Sequence, residues 1–504
     1  MSAGSCLQLT APLRFVEDLQ PARGICIGGT GRPSLAGITF PVTDPADGSL
    51  ITQVADGLAQ DAHAAVDAAA DAFPTWAATP ARQRAEILQQ AVALILAERD
   101  NLTAVISWEN GKPLSHADAE VTLAAEFLRR LAEEAARSHS SYDRTPQDSP
   151  HALVTSRPAG VSAVVTPWNF PAAMVARKAG AALAAGCTVV LKPAAETPLA
   201  ALAVAHILHR AGLPDGVLNV VPTIRPSAVV TTWLNDHRVR RLSFTGPTGL
   251  DTDLPARAAA RIVSSSTRLG TNAPFVIAAD ADIEAALDGA MTVAFQHAGQ
   301  GRTLAARFHV HADVAEEFAA RFGAAIESLL VGSAFRADRK IGPMISASAV
   351  STTSRLVDEA VAAGARITHQ AMVPAGQGTF YPPTLIQDVP TDAALLHEES
   401  LGPVAPVLTW TDEEDLLRQI NDTEAGHAAY IYSHDLKWAL QLAECIDADL
   451  FGINHSIASD PPAPFSGSRP EENRDNVRDF LETQCFLVDP SLTSPLHHTT
   501  AHPS

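Results

Sequence analysis

Cysteine is scarce in this chain: five residues in 504, at Cys6, Cys26, Cys187, Cys445 and Cys485, odd in number and far apart. That spread argues against a disulfide framework and for a reducing compartment, with the cytoplasm as the expected location. Aromatic residues are sparse, at 5%, so the core is expected to be built mainly from Ala, Val, Leu and Ile. Long apolar runs are missing as well. The longest, Ala179 to Leu191, is bracketed by Arg177, Lys178 and Lys192 and falls short of the roughly 20 residues that a bilayer-spanning helix needs. The N-terminus shows no basic segment followed by an apolar one, so no signal peptide is expected. Positive charge is in deficit, 36 Lys and Arg against 56 Asp and Glu, for a formal net charge of −20. Such a surface repels phosphate backbones and anionic lipid, which makes nucleic acid and membrane poor partners. An anionic ligand has to be captured by a local basic pocket.

What is present is a globular composition long enough for two or three packed domains. After a turn-rich opening, PVTDPADGSLITQVADG reads as short strands joined by an Asp-Gly turn. From Leu58 to Ala135 apolar residues recur at helical spacing (Ala65, Ala68, Ala69, Phe73; then Ile87, Ala91, Leu94, Ile95), with Pro80 separating two of the helices. SHSSYDRTPQDSPHA, at 138 to 152, is polar and holds prolines; it is either a surface linker or a hairpin arm that projects toward a partner subunit. Next, β-branched runs alternate with amphipathic helices: VSAVVT, MVARKAGAALAAG, CTVVLK, LAALAVAHILHRAG, VLNVV and later VRRLSFTG. That alternation predicts a parallel sheet with crossover helices, the doubly wound arrangement of nucleotide-binding domains. A second α/β pattern runs from about Ala273 to Asn454, with strand candidates PFVIAA, RFHVHA and VAPVLTW. The tail from Leu492 to Ser504 is low in apolar content and expected to fray. Its adjacent His497 and His498 have no Cys or acidic neighbour, so no metal site is expected.

The segment TPWNFPAAMVARKAGAALAAGCTVVLKPAAETPLAALA resembles the aldehyde dehydrogenase signature, and AAMVARKAG is most similar to succinate-semialdehyde dehydrogenases. The resemblance continues through LSFTGPTG, LGTNAPFVIAADADIEAA, FQHAGQGR, EESLGPVAPV, NDTEAGHAAYIYSHDL and FGIN. It implies an α/β aldehyde dehydrogenase fold with a Rossmann-like cofactor domain (1–137 and 153–267) and an α/β catalytic domain (268–454). An oligomerisation arm (138–152 and 475–489) and a flexible tail (490–504) complete it. It also implies NAD or NADP as cofactor and assembly as a homodimer or homotetramer. In that family a thiolate attacks the aldehyde, an amide and an Asn side chain hold the oxyanion, hydride passes to a nicotinamide, and a glutamate activates water.

Several of those parts are replaced here. The family's GQTC reads GQGR, placing Arg302 at the cysteine position, and its ELGG reads RLGT, placing Arg268 at the glutamate position. Spacings from Pro247 to Arg268 and from Arg268 to Arg302 match the family pattern without gaps. A guanidinium stays protonated and cannot be the nucleophile. Thr303 would need a base where Arg268 now stands, and Cys187, in GCTVV, reads as structural packing. Lys192 remains at the adenosine-ribose position, yet the acid expected three residues later is Ala195. The phosphate-facing turn reads GPTGLD from Gly246, where Pro247 lacks both hydroxyl and N–H and Asp251 adds negative charge.

Other parts persist by the same resemblance: Asn169 as the oxyanion-hole amide, Glu399 at a nicotinamide-ribose contact, and Trp168 lining the cofactor cleft. Arg177 and Ser459 match residues that bind the substrate carboxylate, while the second arginine of that clamp is Gln296. PFSGSRPEENRDNVRDFLE is shorter than the family's Gly-rich loop at the substrate entrance. Two arginines in one pocket either pair internally, with Glu399 or another acid, or hold an anionic ligand. Three functions stay open: a non-redox enzyme acting on a small anionic or carbonyl metabolite, an inactive scaffold subunit, or an NAD(P)-dependent aldehyde dehydrogenase.

Overall fold

The computed structural model describes residues 24–137, 141–144, 151–245, 264–266, 273–301, 304–336, 338–398, 400–422, 428–448, 450–456 and 477–488. The chain enters through a hairpin, β1 (Ile25–Ile27) and β2 (Thr30–Arg32), turned by Gly28 and Gly29 at φ 62 and 76. A second hairpin, β3 (Thr39–Thr43) and β4 (Leu50–Ala55), turns through Gly48 at φ 75, as its Asp-Gly pair predicts. Four helices follow: α1 (Ala59–Ala78), α2 (Ala81–Ala97), α3 (Arg99–Asn110) and α4 (Leu114–Ala135). Pro80 precedes α2 and Gly111, at φ 80, ends α3.

Strands β5 (Ser141–Arg144) and β6 (His151–Pro158) lead into the alternating stretch. It comprises β7 (Val161–Val165), α5 (Pro171–Ala185), β8 (Thr188–Lys192), α6 (Pro198–Arg210), β9 (Leu218–Val220), α7 (Pro226–Asn235), β10 (Val239–Phe244) and β11 (Ser264–Ser266). These form a sheet of order β11-β10-β7-β8-β9-β1-β2, parallel from β11 to β9 and closed by the antiparallel β1–β2 pair. That edge hairpin was not anticipated from the turn-rich opening, although Gly28-Gly29 between short apolar runs is a hairpin signal.

The second domain runs β12 (Ala273–Ile277), α8 (Ile283–Phe295), β13 (Ala305–His311), α9 (Ala312–Glu327), α10 (Ala347–Ala362), β14 (Arg366–Gln370) and β15 (Thr384–Gln387). It continues through α11 (Ala394–His397), β16 (Val404–Trp410), α12 (Glu413–Asn421), β17 (Ala428–Tyr432), α13 (Leu436–Glu444) and β18 (Leu450–Ile453). Its sheet has the order β14-β15-β16-β13-β12-β17-β18, parallel except at β14. Finally β19 (Leu481–Val488) pairs antiparallel with β6, which also pairs with β5, in a separate three-stranded sheet.

An aliphatic core holds in the first domain, where α5 is buried along nearly its whole length among α2, α4 and α6. Small side chains permit that approach: a Cβ on Gly180 would stand 2.8 Å from a Leu128 methyl. In the second domain the scarce aromatics gather instead, with Phe275 and Tyr432 stacked at 4.9 Å and Phe308 against Phe322 at 5.3 Å. No helix among the described residues is long and apolar enough to cross a membrane, and none of their His, Cys, Asp and Glu side chains form a metal-binding group.

Candidate active site

Parallel strands direct their carboxyl ends, and the loops that follow, toward one edge of the sheet, where such folds bind nucleotides. At that edge β7 is followed by Thr166, β8 ends in Lys192, and β10 is followed by Thr245, whose N–H donates to the Val165 carbonyl at 3.1 Å. Lys192 is buried, and desolvation lowers its ammonium to about 8 against the opposing pull of Glu196. The hydroxyls of Thr166 and Thr245 are buried without a hydrogen-bond partner among the described residues. Hydroxyl and ammonium groups of this kind suit ribose and phosphate oxygens, so the chemistry of the described part of the site fits a dinucleotide. Ala195 is half-buried against the core, and the nearest acid, Glu196, is exposed.

The loop from Thr166 to Phe170 carries Trp168 and Asn169. It is held from beneath by the turn between α3 and α4. Asn110 Nδ2 donates to the Trp168 carbonyl at 2.8 Å, and Thr197 Oγ1 donates to the same oxygen at 3.3 Å. Lys112 Nζ donates to the Asn169 carbonyl at 2.7 Å and pairs with Glu120, both side chains being at most 1% exposed. Glu120 Oε1 accepts from the Ala172 and Ala173 amides at the start of α5, at 2.9 and 3.2 Å. Glu109 does the same for α6, accepting from Leu199 and Ala200 at 2.7 and 2.8 Å. Burial nonetheless pushes the Glu109 carboxyl up to about 8, and lowers the Lys112 ammonium. Both helix N-termini are therefore already occupied by internal carboxyl groups.

From the second domain, α8 ends at Phe295 and the chain tightens through Gln296–Gly299, with His297 and Ala298 at φ 52 and 55. Gly299 is forced by proximity, since a Cβ there would meet the Gly402 carbonyl oxygen at 2.1 Å. Gln300 then ties three segments together. Its carbonyl accepts from Asn169 Nδ2 at 3.1 Å, its Nε2 donates to the His297 carbonyl at 3.0 Å, and its Oε1 accepts from the Ile345 amide at 2.9 Å. The His297 ring meets those of His116 and Phe170 edge-to-face, at 5.0 and 4.9 Å. Burial, with the charge of Lys112 second, holds His116 down to about 4 and His297 well below the usual imidazole range.

The structure thus brings Asn169 to the carbonyl two residues before position 302. Arg177 is buried on α5 and lies over the Phe127 ring at 5.7 Å. The side-chain oxygen of Gln296 is buried without a partner among the described residues. Arg268, Arg302, Thr303, Gly246, Pro247, Asp251, Glu399 and Ser459 lie outside the described residues, as do the tail and Cys6. Each described cysteine has another setting. Cys187 is buried with Sγ at 3.2 Å from the Phe480 carbonyl, and desolvation pushes the Cys26 thiol on β1 up to about 11. Cys445, at the end of α13, and Cys485, on β19, are exposed.

Sequence reasoning missed Glu109, Asn110, Lys112, Glu120 and Gln300. One signal was available for Glu120, an acid three residues after Ala117 and one before Val121 on the apolar face of α4.

The aldehyde dehydrogenase family profile matches residues 34–482. The NADP(+)-linked succinate-semialdehyde dehydrogenase of Escherichia coli (strain K12) is 40% identical over 457 residues, which cover 90% of this chain and 95% of that relative. The glutarate-semialdehyde dehydrogenase of Pseudomonas putida is 38% identical over 457 residues, 90% and 95% of the two chains. Among solved structures, betaine aldehyde dehydrogenase from Staphylococcus aureus in complex with NAD+ superposes with a TM-score of 0.91 at 25% identity, covering 98% of this chain and 99% of that one. An E. coli NADP-dependent enzyme gives 0.89 at 38% identity, with 93% and 98% covered. By fold, by sequence and by the loop that carries Asn169, this chain belongs to the aldehyde dehydrogenase family.

Proposed function

We propose that this chain is a semialdehyde-dehydrogenase-type protein whose cleft takes a small anionic carbonyl or carboxylate metabolite but does not carry out the family's thiolate-dependent oxidation. The observation that carries this is Arg302, two residues beyond the Gln300 carbonyl that Asn169 holds at 3.1 Å. A cation at that point forms no thiohemiacetal, and Arg268 in RLGT removes the carboxylate that would activate water. An amide donor combined with cationic side chains is the chemistry that polarises a carbonyl or holds a carboxylate. The ligand class is taken from the relatives that act on succinate and glutarate semialdehydes. NAD or NADP is the cofactor class, which supplies hydride acceptance when bound. Thr166, Lys192 and Thr245 are the described residues that would hold it. Self-association as a homodimer or homotetramer is proposed to run through the arm of β5, β6 and β19.

A second reading, an NAD(P)-dependent semialdehyde dehydrogenase, is favoured by 40% identity across almost the whole of an NADP(+)-linked enzyme. The two are separated by assaying the purified chain with succinate and glutarate semialdehydes and either cofactor. No aldehyde-dependent reduced cofactor above an enzyme-free blank is expected. Sustained turnover would establish the second reading in place of the first.

A further inference from the structure

We propose that Lys112 is the positioning residue of this cleft: its buried ammonium, which meets no ligand itself, sets where Trp168 and Asn169 stand. The inference rests on the proposed function only in taking those two side chains to face the ligand.

The ammonium sits at the crossing of three constraints. It donates to the Asn169 carbonyl at 2.7 Å, pairs with Glu120, and lies 4.7 Å from the centroid of the Phe170 ring. Glu120 passes the constraint on, because its second oxygen holds the Ala172 and Ala173 amides in the first turn of α5. One ion pair therefore fixes both the carbonyl before the helix and the helix's opening amides. Swinging the Asn169 carbonyl away from Lys112 would leave a buried charge short of a partner. The chain around Lys112 is itself stiff, since Gly111 at φ 80 ends α3 and Pro113 opens α4. Asn110 completes the grip at Trp168. Glu109 makes the comparable contacts at α6, a helix that carries neither Trp168 nor Asn169. It serves as the internal control.

Replacing Lys112 alone strands the Glu120 carboxylate, so Lys112→Met is expected to melt early. The double variant Lys112→Met/Glu120→Gln removes both charges, restores most of the melting temperature and still leaves the Asn169 carbonyl without its donor. Hydrogen exchange by mass spectrometry on the full chain reads the consequence. Peptides spanning 166–173 should exchange roughly tenfold faster in the double variant, while those spanning 198–210 stay as in wild type. Lys112→Arg, which keeps the charge, should recover protection of 166–173. Succinate, used as the probe, should raise the melting temperature of wild type and of Lys112→Arg but not of the double variant. Wild-type exchange over 166–173 in the double variant overturns the proposal. So does a uniform rise across the chain that follows the melting temperature, because that is what a merely structural pair would give. Should succinate leave wild type unmoved, the ligand assignment fails while the exchange data still decide the role of Lys112.

Discussion

At the scale of single residues, His309 carries a consequence for acid stability. It lies on β13, 1% exposed, with neither ring nitrogen hydrogen-bonded among the described residues. Burial, with the charge of Arg307 second, brings its imidazole down to about 3, while His116 is held at about 4. Because the folded values lie below the unfolded one, the folded chain binds fewer protons. Stability is full above about pH 6.5 and falls as pH drops toward 3. For His309 the loss is expected to be about 2 kcal/mol by pH 5, at about 1.4 kcal/mol per unit. Thermal melts at pH 7.5 and 5 should show a smaller difference in His309→Leu than in wild type; an unchanged difference would refute this. Gly342 is a second case, since a Cβ there would stand 2.0 Å from the Gly111 carbonyl oxygen. Backbone meets backbone at that junction, so Gly342→Ala should cost about 3 kcal/mol in denaturant unfolding. A loss under about 1 kcal/mol would mean that the junction yields.

At the scale of elements, helices announced themselves where punctuation and period agreed. Pro171 opens α5 and Gly186, at φ 94, ends it, around an apolar run whose pattern predicts a helix. The hairpin β1–β2 escaped because three-residue strands give too short an alternation to count. The arm leads to a prediction about assembly. Its sheet has open edges at β5 and β19, and Leu153, Phe486 and Leu487 are 38, 44 and 67% exposed. Exposed apolar side chains on a small sheet with open edges call for a covering partner. Sedimentation is expected to give a dimer or tetramer, and Leu487→Lys to shift it toward smaller species. A wild-type chain that is monomeric at micromolar concentration would contradict the arm's proposed role.

At the scale of the whole molecule, a net charge of −20 means that the attraction of an anion depends on the pocket alone. Small dicarboxylates or phosphorylated metabolites are expected to raise the melting temperature of wild type, and Arg302→Cys/Arg268→Glu to abolish the rise. Ligand at about a hundred times its dissociation constant adds about 2.7 kcal/mol. Equal shifts in the two proteins would replace the anion pocket with the scaffold alternative. Calorimetric titration should likewise give NAD and NADP affinities weaker than low micromolar if, as the family resemblance implies, Ala195, Pro247 and Asp251 stand at cofactor contacts. A low micromolar constant would mean that other groups compensate. The sequence by itself determined the family and the order of the two α/β stretches, and it puts arginine in the motifs RLGT and GQGR, on which the proposed loss of thiolate and carboxylate rests. Those features live in local periodicity and in residue identity at fixed spacing. Only the tertiary structure decided that Asn169 is held by Gln300, and its loop by Lys112 and Glu120. The bonded partners lie up to 131 positions apart along the chain. Nothing in local sequence records contacts between segments so far apart along the chain.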